Sequence, residues 1–186
     1  LSLGDSVRRG AELVLYPGEP RELRLLSVQL KSGCGNRLLD DRRKECAALA
    51  RQVTFLEEWI DGEAAAGRAF AVLGDFNRDL LRDQGEARSE SGRLLRLWPE
   101  IDDGEPPEAD LSNAAEGQRF VNCAMNQAFP GYIDHIVLSR TLAAGVVPGS
   151  FERVVYRTQD AVARKLSDHC PVALRVRPPA GAMSAD

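Results

Sequence analysis

Short runs of apolar residues alternate with polar segments along this chain, and four of the runs have the length of buried strands. They lie at residues 23–30, 69–73, 132–138 and 171–176. Dense apolar content over so few residues favours buried strands over helices. The pattern therefore predicts a sheet-containing protein with at least four strands.

Between the first two runs, the apolar period changes to that of an amphipathic helix over residues 42–66. Its apolar stripe recurs at alternating spacings of three and four, at Cys46, Leu49, Val53, Leu56 and Ile60. Asp40 or Asp41 can cap the start of this helix, and Gly67 can end it. A strand, a long helix and a strand in succession are typical of an α/β layered fold.

A polar segment over residues 78–118 is rich in glycine, proline and acids, and we predict a surface loop with one short helix there. Its arginines could meet phosphates, but the interspersed acids favour a solvated surface. These arginines are Arg78, Arg82, Arg88, Arg93 and Arg96. We expect residues 1–178 to form one domain and residues 179–186 to be a disordered tail.

The net charge of the chain bears on whether it binds nucleic acid. It is −4, whereas proteins that bind polyanions usually carry a basic surplus. Any contact with nucleic acid must therefore come from local cationic clusters or from a metal ion. No run approaches the ~20 apolar residues that a membrane helix needs, so we expect no transmembrane segment.

The four cysteines, Cys34, Cys46, Cys123 and Cys170, fit neither a zinc framework nor a CxxC redox motif. Cys46 lies on the apolar face of the predicted helix and Cys170 at the start of a predicted strand, so we interpret both as small buried thiols. Cys34 lies in a loop just before the helix, which makes a Cys34–Cys46 disulfide geometrically feasible. Sequence alone does not set the connectivity.

Three polar clusters adjoin apolar strands, and the first contains Asp75 and Asn77. These residues are two apart, so an extended backbone points both side chains at the same face. A carboxylate that accepts a proton and an amide that donates a hydrogen bond suit an attacking water and a phosphate. An Asx turn after a strand explains the same residues without any function.

The other two clusters contain histidines. Strand alternation puts Asp134 and His135 on opposite faces, and a carboxylate within an apolar strand needs a cationic partner. For His135 we favour a structural role. Asp168 can ligate a divalent ion and His169 can bind a phosphoryl oxygen, although a polar strand start with a proline at the sheet edge explains them equally.

In this order, the segments GDFN, IDHI and SDHCPV closely resemble the endonuclease/exonuclease/phosphatase superfamily. The resemblance extends over residues 8–176. It implies an α/β (α+β) layered sandwich, in which helices flank two packed, mainly antiparallel β-sheets. It also implies hydrolysis of phosphoester bonds that depends on Mg²⁺ or Mn²⁺.

The resemblance further implies roles for individual residues. Asp75 would orient or deprotonate the attacking water, and Asn77 would bind the scissile phosphate. Asp168 would contact the metal ion. His169 would lie against the phosphate, while Asp134 would hold and charge its ring.

The chain departs from the family pattern in two respects. Gln29 stands where many members have a histidine, and glutamine can donate a hydrogen bond but cannot shuttle a proton near neutral pH. The early strands, with an asparagine and the main metal-binding glutamate, are expected before Leu1. Glu12 is a poor substitute for that glutamate, and lack of those strands would leave an open sheet edge.

The favoured hypothesis is a metal-dependent phosphodiesterase. Within that class an endonuclease is the leading candidate, with DNA or RNA as substrate. A phosphatase or a phospholipase of the same superfamily is the alternative within that class. Gln29 and the missing glutamate favour a rival from another class, a non-catalytic binding module or inactive fragment. The sequence leaves the substrate, the compartment and the oligomeric state open.

Overall fold

The computed structural model describes residues 8–123, 127 and 129–177, so the predicted tail at residues 179–186 lies outside the described residues. Within these ranges the elements follow one another as β1 (Ala11–Leu15), β2 (Leu23–Gln29), α1 (Lys44–Ala65), β3 (Ala69–Asp75), α2 (Leu97–Ile101), β4 (Leu111–Asn113), β5 (Asp134–Ser139), α3 (Arg140–Ala143), β6 (Glu152–Arg153), α4 (Thr158–Arg164) and β7 (Val172–Ala173).

The larger sheet has the strand order β1-β2-β3-β5-β4, and β6 pairs with β7 in a second sheet. Among the strands that the structure describes, only β2 and β3 run parallel, since α1 crosses over between them, and the other pairs are antiparallel. The predicted α/β layered fold with mainly antiparallel sheets is therefore confirmed. None of the described helices has the length and apolar content to cross a membrane.

Helix α1 covers one face of the larger sheet. All five residues of its predicted stripe are fully buried, and the Trp59 ring meets Phe70 of β3 edge to face. Gly67 ends the helix with a positive φ of 65°, as predicted. The predicted cap is wrong: the N-cap is Arg43, without a side-chain cap, because Asp41 instead accepts a hydrogen bond from the Arg43 N–H.

The opposite face of the larger sheet is less completely covered. Ala71, Leu138 and Leu142 are buried there, and partly buried side chains from β2, β3, β5 and the region of β7 pack against them. The predicted strand at residues 171–176 is shorter than expected. It pairs with β6 only at Val172 and Ala173, and Val176 forms a separate bridge to Val146.

All four cysteines are bonded in pairs, Cys34 to Cys46 and Cys123 to Cys170. The first pairing is the one that the sequence made feasible. The interpretation of Cys46 and Cys170 as free buried thiols is wrong, although both side chains are buried. Chain folding brings each sulfur against a partner, at separations of 12 and 47 residues.

Arg78 corrects the prediction that the arginines of residues 78–118 are solvated. It is fully buried, and its Nε atom lies 2.6 Å from Asp83 Oδ2. Its guanidinium also donates to the carbonyls of Gly35 and Arg37. By contrast, Arg82, Arg88 and Arg93 are largely exposed and paired with acids, as a solvated surface requires.

Replacing Arg78 by methionine should therefore lower the free energy of unfolding by about 3–5 kcal/mol, because Asp83 would remain as a buried, uncompensated charge. Urea unfolding measures the change. Arg88→Met is the matched control, since its ion pair is exposed and should contribute at most about 1 kcal/mol. Equal effects of the two substitutions would contradict the importance assigned to the buried pair.

Candidate active site

Three adjacent strands bring polar side chains to the same level of the larger sheet. Gln29 of β2 pairs with Asp75 of β3, and Asp75 pairs with Asp134 of β5. Directly paired residues present their side chains on the same face. Together with His169, these residues line a cleft of about 530 Å³, whose other lining residues include Arg8, Arg9 and Ser167.

The turn after β3 fixes Asp75. Gly74 has a φ of 134°, and a Cβ there would lie 2.1 Å from the Val28 carbonyl oxygen, so only glycine allows this approach of β3 to β2. Asp75 Oδ1 accepts a hydrogen bond from the Asn77 backbone N–H, and Asp75 Oδ2 accepts one from Asn77 Nδ2, both at 2.8 Å. The Asx turn is thus present, and it orients the carboxylate.

Asn77 uses its amide inside the protein. Besides Asp75, Nδ2 donates to the Leu30 carbonyl at 2.9 Å, so both amide hydrogens are engaged. Gln29 is also engaged on both sides, because Arg8 donates to its Oε1 and its Nε2 donates to Asp75 Oδ2 at 3.4 Å. The described contacts make Asn77 and Gln29 supports of Asp75.

His169 and Asp134 are in contact, as the family resemblance implied, so Asp134 has the partner that a carboxylate within an apolar strand needs. His169 Nδ1 lies 3.0 Å from both carboxylate oxygens of Asp134. Within the described part of the chain, Nδ1 is the ring nitrogen that forms a hydrogen bond. The remaining nitrogen, Nε2, is therefore the one with which the ring can reach a bound phosphate.

Groups that no sequence pattern predicted hold His169 in place. Tyr156 donates its hydroxyl hydrogen to the His169 carbonyl, and the Phe129 ring lies 5.3 Å from the imidazole. The disulfide from Cys123 to Cys170 anchors the residue that follows His169. An even number of cysteines was the only available signal for that disulfide.

Electrostatics favour a charged His169. Burial by itself lowers the pKa of His169, but the hydrogen bond to Asp134 and the charges of Asp134, Asp75 and Asp168 outweigh it, and the pKa is raised. Burial raises the pKa of Asp134, against the hydrogen bond and charge of His169. The two side chains thus form a half-buried pair in which the imidazolium is stabilised.

His135 has the structural role that the sequence favoured. It is buried, its Nε2–H donates to the carbonyls of Arg78 and Tyr132, and its Nδ1 accepts from Asn113 Nδ2. Burial lowers the pKa of His135 to about 4. The ring is therefore neutral near pH 7 and joins β5 to the turn that follows Asp75.

Asp75, Asp134 and His169 could also hold a metal ion, because their ligand atoms lie within 4.8 Å of one another. Two carboxylates suit a hard divalent cation such as Mg²⁺ or Mn²⁺. Asp168 does not belong to this set, although its charge acts on His169. Glu12 pairs with Arg24 at 3.1 Å on β1 and is also outside the set.

Comparisons with known proteins bear on the family and the fold of this chain. A model of the Endonuclease/Exonuclease/phosphatase family matches residues 18–169. The fold resembles that of a 3′ phosphatase from Neisseria solved with a product DNA hairpin, with a TM-score of 0.57 at 18% sequence identity. The match covers 93% of this chain and 66% of the neisserial chain, just under two thirds of that protein. No curated protein sequence matches the chain.

The substitution Asp134→Asn should lower the pKa of His169, because it removes the carboxylate charge that stabilises the imidazolium. An NMR titration of the two histidine rings in EDTA measures this directly. His135 serves as the internal control because its ring points to the other face of β5 and is bonded to Asn113, Arg78 and Tyr132 instead of Asp134. An unchanged His169 pKa in the variant would show that the pairing does not charge the ring.

Proposed function

Because this chain belongs to the endonuclease/exonuclease/phosphatase family, we propose that it hydrolyses phosphodiester bonds by a single in-line attack of water. The observation that carries the proposal is the convergence of Asp75, Asp134 and His169 in one cleft. Proton-accepting carboxylates beside a cationic imidazole suit a reaction in which water loses a proton while negative charge develops on a phosphate.

Asp75 is the proposed base. Asn77 and Gln29 hold its two oxygens, so the carboxylate is oriented before water binds. It would accept a proton from the attacking water or fix that water in line with the scissile bond. Asn77 could bind the phosphate after exchanging its contact with the Leu30 carbonyl for a phosphate oxygen.

His169 is the proposed electrostatic partner of the phosphate. Asp134 holds Nδ1, which leaves Nε2–H of the imidazolium to donate to a phosphoryl oxygen. A preorganised donor stabilises the charge that develops in the transition state. Asp134 would thereby act through His169 as a positioning residue.

A divalent cation, Mg²⁺ or Mn²⁺, fits the same cleft. Carboxylate oxygens of Asp75 and Asp134 would hold it, and when bound it would neutralise phosphate charge. Asp168, the ligand that the family resemblance implies, would join them only if its side chain turned toward the cleft, which it does not line. Gln29 could hold a phosphate oxygen but cannot protonate a leaving group near neutral pH.

The proposed substrate is DNA or RNA. The neisserial neighbour is described with a DNA hairpin, and Arg8 and Arg9 give this cleft local positive charge despite the net charge of −4. Because that neighbour is a 3′ phosphatase, a phosphomonoesterase is the second candidate. The rival is a non-catalytic binding module. Two features favour it: Gln29 cannot shuttle a proton, and Glu12 is paired with Arg24 and so does not replace the metal-binding glutamate of the family.

Hydrolysis of bis(4-nitrophenyl) phosphate, compared with that of 4-nitrophenyl phosphate, tests the proposed reaction. We expect the diester to be cleaved in Mg²⁺ or Mn²⁺ but not in EDTA, and Asp75→Asn to lower kcat by about 100-fold or more. Asp110→Asn is the control, because Asp110 pairs with Arg140 on the exposed surface.

Cleavage of the monoester alone would favour the phosphatase. If neither ester is cleaved with either metal, while the protein remains folded, the binding module is the better account. Full activity of Asp75→Asn would remove Asp75 from the reaction.

A further inference from the structure

A second cavity, of about 260 Å³, shares Arg8 and Gln29 with the catalytic cleft. We call it the Lys31 cavity, and it is lined by Arg8, Gln29, Leu30, Lys31, Ser32, Gln52 and Asn77. Asp75, Asp134 and His169, the three residues that carry the proposed reaction, do not line it. A group bound there would therefore lie beside the reacting phosphate without replacing it.

The lining of the Lys31 cavity is rich in hydrogen-bond donors. Arg8 and Lys31 are cationic, and Ser32 adds a hydroxyl group. Among the described residues that line the cavity there is no carboxylate. On a protein with a net charge of −4, such a cavity is a local site of positive charge, which favours anions.

Gln52 adds an unsatisfied donor. Its side chain is fully buried on α1, and its Oε1 accepts the Lys31 backbone N–H at 2.7 Å, which fixes the orientation of the amide. Its Nε2 has no hydrogen-bond partner among the described residues. Leaving a buried donor unpaired is costly, and beside two cations the acceptor that best satisfies it is an anion.

The loop that carries Lys31 and Ser32 is fixed against the helix that carries Gln52. The Cys34–Cys46 disulfide joins the loop to the start of α1. Gly33 lies so close to Glu45 that a Cβ would come within 2.9 Å of its Cγ. The donors are thus held in place before any ligand arrives, which lowers the entropic cost of binding.

We infer that the Lys31 cavity is an anion subsite that holds a phosphate group adjacent to the one being hydrolysed. This rests on the proposed function, because it takes the neighbouring cleft as the place of reaction. A ligand that fills both the catalytic cleft and the Lys31 cavity must carry successive phosphodiester groups. The subsite therefore selects a nucleic acid strand over a substrate with one phosphate.

The first test uses inorganic phosphate as the probe and the ¹⁵N-labelled chain in EDTA. Phosphate should shift the side-chain amide resonance of Gln52, which is assigned by its loss in Gln52→Glu. Lys31→Ala should weaken the apparent affinity by about tenfold. Lys44→Ala is the matched control, because Lys44 is exposed on α1 and lines neither cavity.

Gln52→Glu keeps the acceptor for the Lys31 N–H but replaces the donor by a carboxylate, so it should abolish the response to phosphate. If Gln52→Glu does not fold, because Gln52 is buried, Lys31→Ala still tests the inference, because Lys31 is partly exposed and its loss should leave the fold intact.

The second test separates a strand phosphate from a free phosphate. Short fluorescent oligonucleotides, each with a neutral methylphosphonate at one position, are bound in EDTA and followed by anisotropy. At one position the neutral group should lower the affinity of the wild type by about tenfold, and at the same position it should lower the affinity of Lys31→Ala by clearly less.

No shift of the Gln52 amide with phosphate or oligonucleotide would overturn the inference. A shift with phosphate, combined with equal binding of all the methylphosphonates, would assign the cavity to free phosphate and would overturn the subsite. Both tests are made without hydrolysis, so a failure of the proposed reaction leaves their outcomes readable.

Discussion

The buried ion pair of Arg78 and Asp83 is the constraint on which the functional end of the molecule depends. The Arg78 guanidinium holds the carbonyls of Gly35 and Arg37, while Asp83 also accepts the backbone N–H groups of the first turn of α2. Two fully buried charges are tolerable only when every partner is present. The pair therefore fixes three loops at once, and one of them contains Asn77, which immediately precedes Arg78.

The candidate site inherits its geometry from that constraint and from the strand register. The register aligns Gln29, Asp75 and Asp134, and the anchored turn presents Asp75 through its bonds to Asn77. His169 comes from a distant segment and is held by Asp134 and by the disulfide after it. Orientation before binding is what a site that stabilises transition-state charge requires.

Period and local chemistry made much of this predictable. The stripe of α1 and the strands β2, β3 and β5 follow from apolar spacing, and Gly67 ends α1 for a reason visible in the sequence. Strands β1 and β4 were not predicted from apolar runs, and β4 lies in the segment expected to be a loop with one short helix. Contacts between segments that are distant in the sequence could not be predicted from it. The Cys123–Cys170 bond, the burial of Arg78 and the unpaired amide of Gln52 each depend on which segments meet in the fold. The Asp134–His169 contact was expected only because a buried carboxylate needs a partner and the motifs resemble a family.

The most direct test of the account is the nicking of supercoiled plasmid by the purified chain, with His169→Ala beside it. We expect nicking that needs Mg²⁺ or Mn²⁺, stops in EDTA and falls by about 100-fold or more in His169→Ala, with the variant still folded by circular dichroism. Nicking at equal rates by both proteins, or by neither, would contradict the claim that this cleft cleaves nucleic acid.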